Sequence, residues 1–174
     1  MLYIRHGEKE YKNGTNLEFS LDPDLTENGR IKSAEKFRYL ASKYGAPDLI
    51  ISSPYLRTRT TSEIAQAMIL EITGLDVKIK YDRILGECLK YQVGKDLTIC
   101  LRPETLIHNP IRPENDKQYH GRMCAHVRTA RYNIWYVTHG YNISKVASIR
   151  KHKIKYPDEL CGIYIDIDDK ITIL

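Results

Sequence analysis

The chain has 174 residues, 42% of them hydrophobic and 28% charged, with a formal net charge of +5. That size suits a single domain able to bury about two-thirds or more of its unfolded surface. Every apolar run is shorter than the roughly 20 residues that cross a bilayer, and so modest a positive charge tolerates anionic partners without arguing for nucleic acid.

The chain opens on a short apolar strand, residues 2–4, followed at once by Arg5-His6-Gly7. Chemistry-bearing residues so close to the start leave no signal-peptide pattern. Four scattered cysteines (Cys88, Cys100, Cys124, Cys161) show neither a disulfide framework nor zinc-ligand spacing. Together these lead us to expect a reduced, cytosolic or nuclear protein, with the cytoplasm as first choice.

Further on, Thr26 reads as an N-cap, and Glu27 puts a negative charge in the first turn, where the helix dipole favours it. Ile31, Ala34, Phe37, Leu40, Ala41 and Tyr44 recur at helical spacing until Gly45 and Pro47 stop the helix. Residues 48–52 (DLIIS) form a buried strand. A second helix is expected over 56–72, with Ile64, Ala65, Met68 and Ile72 on one face. Residues 77–81 alternate as a strand. A third helix is expected over 115–131, with Tyr119, Met123, His126 or Val127, and Ala130 turned inward, although Gly121 weakens it.

IWYVT (134–138) is another strand and 142–149 another helix, and the closing alternation around Asp168-Asp169 reads as a hairpin. This order predicts an α/β fold in three layers: a mostly parallel central sheet, helices on both faces, and an antiparallel C-terminal edge. Residues 90–113, with Pro103, Pro110 and Pro113, form the loosest stretch, and a connection that long is expected to be a lid or a specificity loop.

Parallel sheets of this kind bind ligands beyond the carboxyl ends of their strands. Arg5 and His6 follow the first strand there; SSPYLRTRTT, with Arg57 and Arg59, follows the second. RILGEC, with Glu87, lies beyond the third, and HGYN, with His139, follows VT. Guanidinium groups bind phosphate oxygens in pairs and neutralise growing negative charge. A neutral imidazole is a competent nucleophile, and a nearby carboxyl can give a proton to a leaving oxygen and later take one from water.

RHGE, SSPYLRTRTT, LGEC and VTHG resemble, in order and spacing, the histidine phosphatase superfamily with its phosphoglycerate mutase-like fold, and DLTENG is similar to that family's entry to its first long helix. The resemblance implies a metal-independent phosphomonoesterase without cofactors, of the small cytosolic branch. His6 would be the phosphorylated nucleophile and Glu87 the proton donor. Arg5, Arg57 and His139 would form the phosphate pocket. The mutase pattern after Arg-His-Gly is not met by EKEYKNGTNLEF, which favours hydrolysis. The late His-Asp pair of the secreted acid phosphatases is replaced by His139-Gly140.

The substrate expected is a phosphorylated small molecule or a phosphopeptide, with Lys90, Lys95, Arg102 and Arg112 as a basic specificity wall. Neither nucleic acid nor a membrane is expected as a partner. A mutase-type phosphotransferase and a non-catalytic phosphate or phosphopeptide module are the competing readings. Glu8 is second in line as proton donor. Arg59 is expected on the helix surface, since residues two apart on a helix do not face together. His108, His120, His126 and His152 read as structural or exposed. The run Arg150-Lys151-His152-Lys153 reads as a solvated helix end.

Overall fold

Strand Leu2–Arg5 (β1) is apolar on both faces, so it needs a layer of helices on each side. The computed structural model, which describes residues 1–11, 21–88, 100–108 and 114–174, supplies both layers. After β1 come α1 (Glu27–Tyr44), β2 (Leu49–Ser52), α2 (Leu56–Thr73), β3 (Ile79–Tyr81) and a 3₁₀ turn (Arg83–Leu85). Then follow α3 (Pro103–His108), α4 (Asp116–Thr129), β4 (Ile134–Thr138), α5 (Gly140–Ile149), β5 (Gly162–Ile165) and β6 (Ile171–Ile173).

The strands form one sheet in the order β3-β2-β4-β1-β5-β6. β1, β2, β3 and β4 pair in parallel, while β5 runs against both β1 and β6. The sheet is therefore mostly parallel with an antiparallel edge, as the sequence predicts. β5 begins at a glycine because nothing larger fits: a Cβ on Gly162 would stand 1.9 Å from the Tyr3 carbonyl oxygen.

The pleat divides the core. Leu2, Ile4, Trp135 and Val137 cluster with Phe37, Leu40 and Ala41 of α1 and with Ala65 and Ile69 of α2. Tyr3, Ile134 and Tyr136 cluster with Tyr119 and Met123 of α4 and with Ile143, Val146 and Ala147 of α5. Each large apolar side chain removed from water in this way contributes about 1.5–3 kcal/mol.

The helix ends follow their capping chemistry. The Thr26 side chain accepts the Gly29 N–H, and Gly45 closes α1 with its N–H on the Ala41 carbonyl. Asn115 and Gln118 form a reciprocal capping box that starts α4. That box helps to offset Gly121, beside which a Cβ would meet nothing within 4 Å. The expected inward faces need two corrections. Ile31 is 52% exposed and Ile72 is 41% exposed. In α1, Gly29 and Ser33 take the buried stripe ahead of Phe37, and a Cβ on Gly29 would strike the Glu8 backbone. In α2 the buried stripe runs through Thr58, Thr61, Ala65 and Ile69, one position off the expected one, and this turns Ile72 outward.

The stretch expected as a lid contains α3 and the buried residues Cys100 and Leu101. Its residues 90–99 and 109–113, with Lys90, Lys95 and Arg112, lie outside the described residues.

Candidate active site

Hydrogen bonding continues one residue past the neighbouring strands β2, β4 and β1. The His6 N–H donates to Thr138 O at 3.1 Å, and the Ser53 N–H donates to Val137 O at 2.9 Å. This fixes His6 and Ser53 beside the end of β4, where His139 follows Thr138, and all three side chains are buried.

His6 offers one nitrogen. Its Nδ1 lies 2.7 Å from the Gly7 carbonyl oxygen, which can only accept, so Nδ1 carries the hydrogen. Nε2 keeps its lone pair. Burial, then the charge of Arg57, hold the imidazole well below its usual range, with smaller pushes from Arg5 and Lys9; the Gly7 carbonyl opposes them. The ring is neutral at neutral pH. Gly7 donates its own N–H to Thr61 Oγ1 at 3.1 Å, and a Cβ there would stand 2.5 Å from Ser33 Oγ.

His139 takes the other tautomer. Its Nδ1 is 3.3 Å from Nη2 of Arg57, which can only donate, so Nε2 carries the hydrogen and donates to Ser53 Oγ at 2.9 Å. Burial, then Arg57 and His6, push this imidazole well below the ordinary value. The two imidazole centroids are 5.5 Å apart, with the rings inclined at 65°.

Arg57, on the first turn of α2, is 1% exposed. Its Nη1 donates to the Leu21 carbonyl at 3.1 Å, its plane lies 4.7 Å from the centre of the Tyr55 ring, and Nη2 is ion-paired with Glu87. Its Nε is buried without a hydrogen-bond partner. The Glu87 carboxylate also comes within 3.9 Å of His139 Nδ1. His6, Arg57, Glu87 and His139 thus meet at one rim, as the strand-end rule predicts.

Arg5 stands at the same rim with its fork turned aside. Nη1 donates to Pro157 O at 3.0 Å, Nη2 is 3.9 Å from Glu159, and the guanidinium lies 5.4 Å from the Tyr156 ring centre. Its charge still reaches His6. Glu8 turns to α1, accepting from Asn28 Nδ2 at 2.7 Å. Arg59 is half-buried and its charge acts on Tyr81. Among the described residues no three His, Cys, Asp or Glu side chains gather as metal ligands, and no helix is long and apolar enough to cross a membrane.

Two further residues belong to the site. Asp22 is fully buried: its Oδ1 accepts the Leu56 N–H at 2.6 Å, its Oδ2 accepts from Thr105 Oγ1 at 2.5 Å, and it lies 4.0 Å from Arg57. It ties the start of α2 to α3. Lys9 is partly buried, and its charge acts on His6 and His139. Lys9 stands three residues after His6 in RHGEK, a position that could have flagged it, whereas nothing local in LDPDL marks Asp22.

A free imidazole lone pair, a buried guanidinium, a second neutral imidazole and a carboxylate are together equipped for phosphoryl transfer. Comparison with known proteins agrees. The profile of the histidine phosphatase superfamily (branch 1) matches residues 1–88, which include Arg5, His6, Arg57 and Glu87. Phosphoserine phosphatase 1 of Hydrogenobacter thermophilus is 36% identical over 86 residues, which cover 49% of this chain and 37% of that enzyme, little more than a third of its length. Among solved structures, TTHB049 of Thermus thermophilus aligns with a TM-score of 0.66 and 18% identity over 99% of this chain and 97% of its own. A mycobacterial glucosyl-3-phosphoglycerate phosphatase aligns with a TM-score of 0.59 and 19% identity over 94% of this chain and 87% of its own. At such identities those structures speak for the fold, while the profile covers half of the sequence: the chain belongs to the histidine phosphatase superfamily (branch 1).

Proposed function

We propose that this protein is a single-domain, metal-independent phosphomonoesterase that works through a phosphohistidine on His6. The observation that carries the reading is the His6 imidazole, neutral and with its Nδ1 hydrogen committed to Gly7, so that Nε2 alone is left to attack.

In the first step Nε2 attacks phosphorus, an N–P bond forms, and the bond from phosphorus to the ester oxygen breaks. Glu87, which takes up a proton from solvent once the substrate has displaced it from Arg57, passes that proton to the ester oxygen, and the alcohol departs. In the second step the Glu87 carboxylate takes a proton from water, the water oxygen attacks phosphorus, the N–P bond breaks, and inorganic phosphate leaves a neutral His6. Arg57 holds the phosphoryl oxygens, His139 orients that guanidinium by accepting from its Nη2, and Arg5 adds positive charge from the rim. The free Nε of Arg57 suits this role, since a buried unpaired donor at a site is explained by a ligand that would use it.

The names of two similar proteins, a phosphoserine phosphatase and a glucosyl-3-phosphoglycerate phosphatase, support a small phosphorylated metabolite over a phosphopeptide. A cytoplasmic setting accords with such a substrate. The test is hydrolysis of p-nitrophenyl phosphate by wild type and His6→Ala with a chelator present. Turnover by wild type and none by the variant is expected. Loss of wild-type activity to the chelator would remove metal independence, and an active variant would remove the phosphohistidine.

A further inference from the structure

We infer that Asn142, seconded by Arg122, is a positioning residue that sets where the Glu87 carboxyl stands. The inference rests on the reading of Glu87 as proton donor. Residues 86–88 belong to no helix or strand, so nothing in the sheet ladder fixes the backbone that carries Glu87. Side chains do it instead, by holding three successive carbonyls just before that residue. The Ile84 carbonyl accepts from Arg122 Nη1 at 2.5 Å. Leu85 O accepts from Thr138 Oγ1 at 2.9 Å and from Asn142 Nδ2 at 2.7 Å. Gly86 O accepts from Asn142 Nδ2 at 3.1 Å and from Arg122 Nη1 at 3.2 Å.

The orientation of the Asn142 amide follows from its partners. Two carbonyl oxygens can only accept, so the NH2 end faces them, while Oδ1 takes the Tyr119 hydroxyl at 2.8 Å. The same NH2 reaches Thr138 Oγ1 at 2.8 Å; Thr138 immediately precedes His139, and Asn142 follows it by three residues. One fully buried amide therefore references the Glu87 backbone to the strand end that carries the pocket histidine. Arg122, from α4, shares the Gly86 carbonyl with Asn142 and alone holds that of Ile84, with its fork steadied by Glu114 and its guanidinium carbon 5.0 Å from the Tyr119 ring centre. A general acid loses much of its effect when displaced by about an ångström, which gives this double hold a consequence for rate.

The experiment uses the full chain carrying Asn142→Ala, Arg122→Ala or Glu87→Gln. It compares kcat on p-nitrophenyl phosphate, whose leaving group needs little protonation, with kcat on glycerol 2-phosphate, whose leaving group needs it. Inhibition by inorganic phosphate reads the pocket itself. We expect Asn142→Ala and Arg122→Ala to lower kcat on the alkyl ester about tenfold more than on the aryl ester, with phosphate inhibition within about twofold of wild type. Glu87→Gln should show the same selectivity in stronger form. If Glu87→Gln is selective while the other two lower both substrates equally, or neither, the positioning role is overturned and the Glu87 reading stands. If Glu87→Gln is not selective, the reading of Glu87 falls and the positioning role falls with it. Should the fully buried Asn142→Ala fail to fold, Arg122→Ala decides the matter, since its side chain is 19% exposed.

Discussion

Arg57 and Glu87 form an ion pair of unequal partners, a guanidinium that is 1% exposed and a carboxylate that is 34% exposed. The guanidinium is fixed by the Leu21 carbonyl and by the Tyr55 ring beneath it. The carboxylate occupies the Nη2 donor that a phosphate oxygen would also seek, beside His139 Nδ1. A phosphate dianion brings more charge and more acceptor oxygens than a carboxylate, so it competes well for that donor. In the proposed reaction the arriving phosphate displaces Glu87 from Arg57 and leaves the carboxyl alongside the ester oxygen. Binding of the substrate and release of the acid are thereby one event at one guanidinium.

Arg57→Lys preserves the charge and loses the fork. An ammonium is a compact charge without the planar fork that presents paired N–H groups to phosphate while holding Leu21 O, so kcat/KM on p-nitrophenyl phosphate should fall about 10²-fold, the cost typical of one lost transition-state donor. Steady-state kinetics with inorganic phosphate as competing ligand would check this. A variant within about threefold of wild type would mean that Arg57 serves the fold and not the reaction.

Asp22 holds α2 and α3 together from a fully buried position. Asp22→Ala leaves the Leu56 N–H without its acceptor, leaves the Thr105 hydroxyl only the Pro54 carbonyl at 3.3 Å, and removes a negative charge near Arg57. Unfolding in urea should show a loss of about 2–4 kcal/mol, and Asp22→Asn, which retains one acceptor oxygen, should lose less. A midpoint unchanged by Asp22→Ala would show that the two helices are held by their apolar contacts alone.

The sequence made legible whatever depends on local pattern. IWYVT is a strand with the bounds expected, 134–138, because four apolar residues and a β-branched threonine between turn signals allow little else. Thr26 caps α1 because its hydroxyl is there to accept an N–H. The strand-end rule brought His6, Arg57, Glu87 and His139 together from segments as far apart as 133 residues, since a parallel sheet puts its carboxyl ends on one rim. What escaped were pairings between distant side chains with no periodic signal. Asp22 meets Thr105 across 83 residues, and Asn142 meets Leu85 across 57. Arg5 was legible as a rim residue, yet its hold on Pro157 and Glu159 depends on a return of the chain that no local pattern announces. Ile31 misled because the buried stripe starts with two small residues that no apolar pattern marks, Gly29 in tight contact with the Glu8 backbone and Ser33 against Gly7.

His126 supplies an acid-side test of stability. It is buried among Tyr3 and Tyr136, with its Nε2 2.9 Å from the Tyr3 hydroxyl. Burial lowers its pKa from 6.5 to about 4, against an opposing push from Asp82. The unfolded chain therefore takes up this proton before the folded one does, and stability falls as pH drops from the unfolded value towards the folded one. That difference corresponds to about 3 kcal/mol, fully present above the unfolded pKa and lost by the time the folded pKa is passed. His126→Gln should flatten the decline in urea stability between pH 6.5 and 4, the interval set by the two values. An unaltered slope would place the acid sensitivity elsewhere, with His6 and His139 the next candidates.

The two site histidines should be neutral and in opposite tautomers. Gly7 O can only accept, which puts the His6 hydrogen on Nδ1; Arg57 Nη2 can only donate, which puts the His139 hydrogen on Nε2. Burial holds both well below their ordinary value of 6.5, and Arg57 acts on each in the same direction. Long-range ¹H–¹⁵N spectra of the uniformly labelled protein distinguish the two tautomers by which ring nitrogen bears the hydrogen. At neutral pH, among the six histidines, His6 should give an Nδ1–H imidazole and His139 an Nε2–H one, and neither of these two should titrate as the sample is taken down through 6.5, the value a solvated histidine would show. His6→Ala and His139→Ala assign the signals. If the His6 signal is that of an Nε2–H imidazole, the nitrogen proposed to attack phosphorus is blocked, and a nucleophile would have to be sought outside His6. If His6 is instead doubly protonated at neutral pH, its lone pair is gone and Arg57 cannot exert the influence assigned to it here. The tautomer is thus the point on which geometry and mechanism stand or fall together, and it can be read without any substrate.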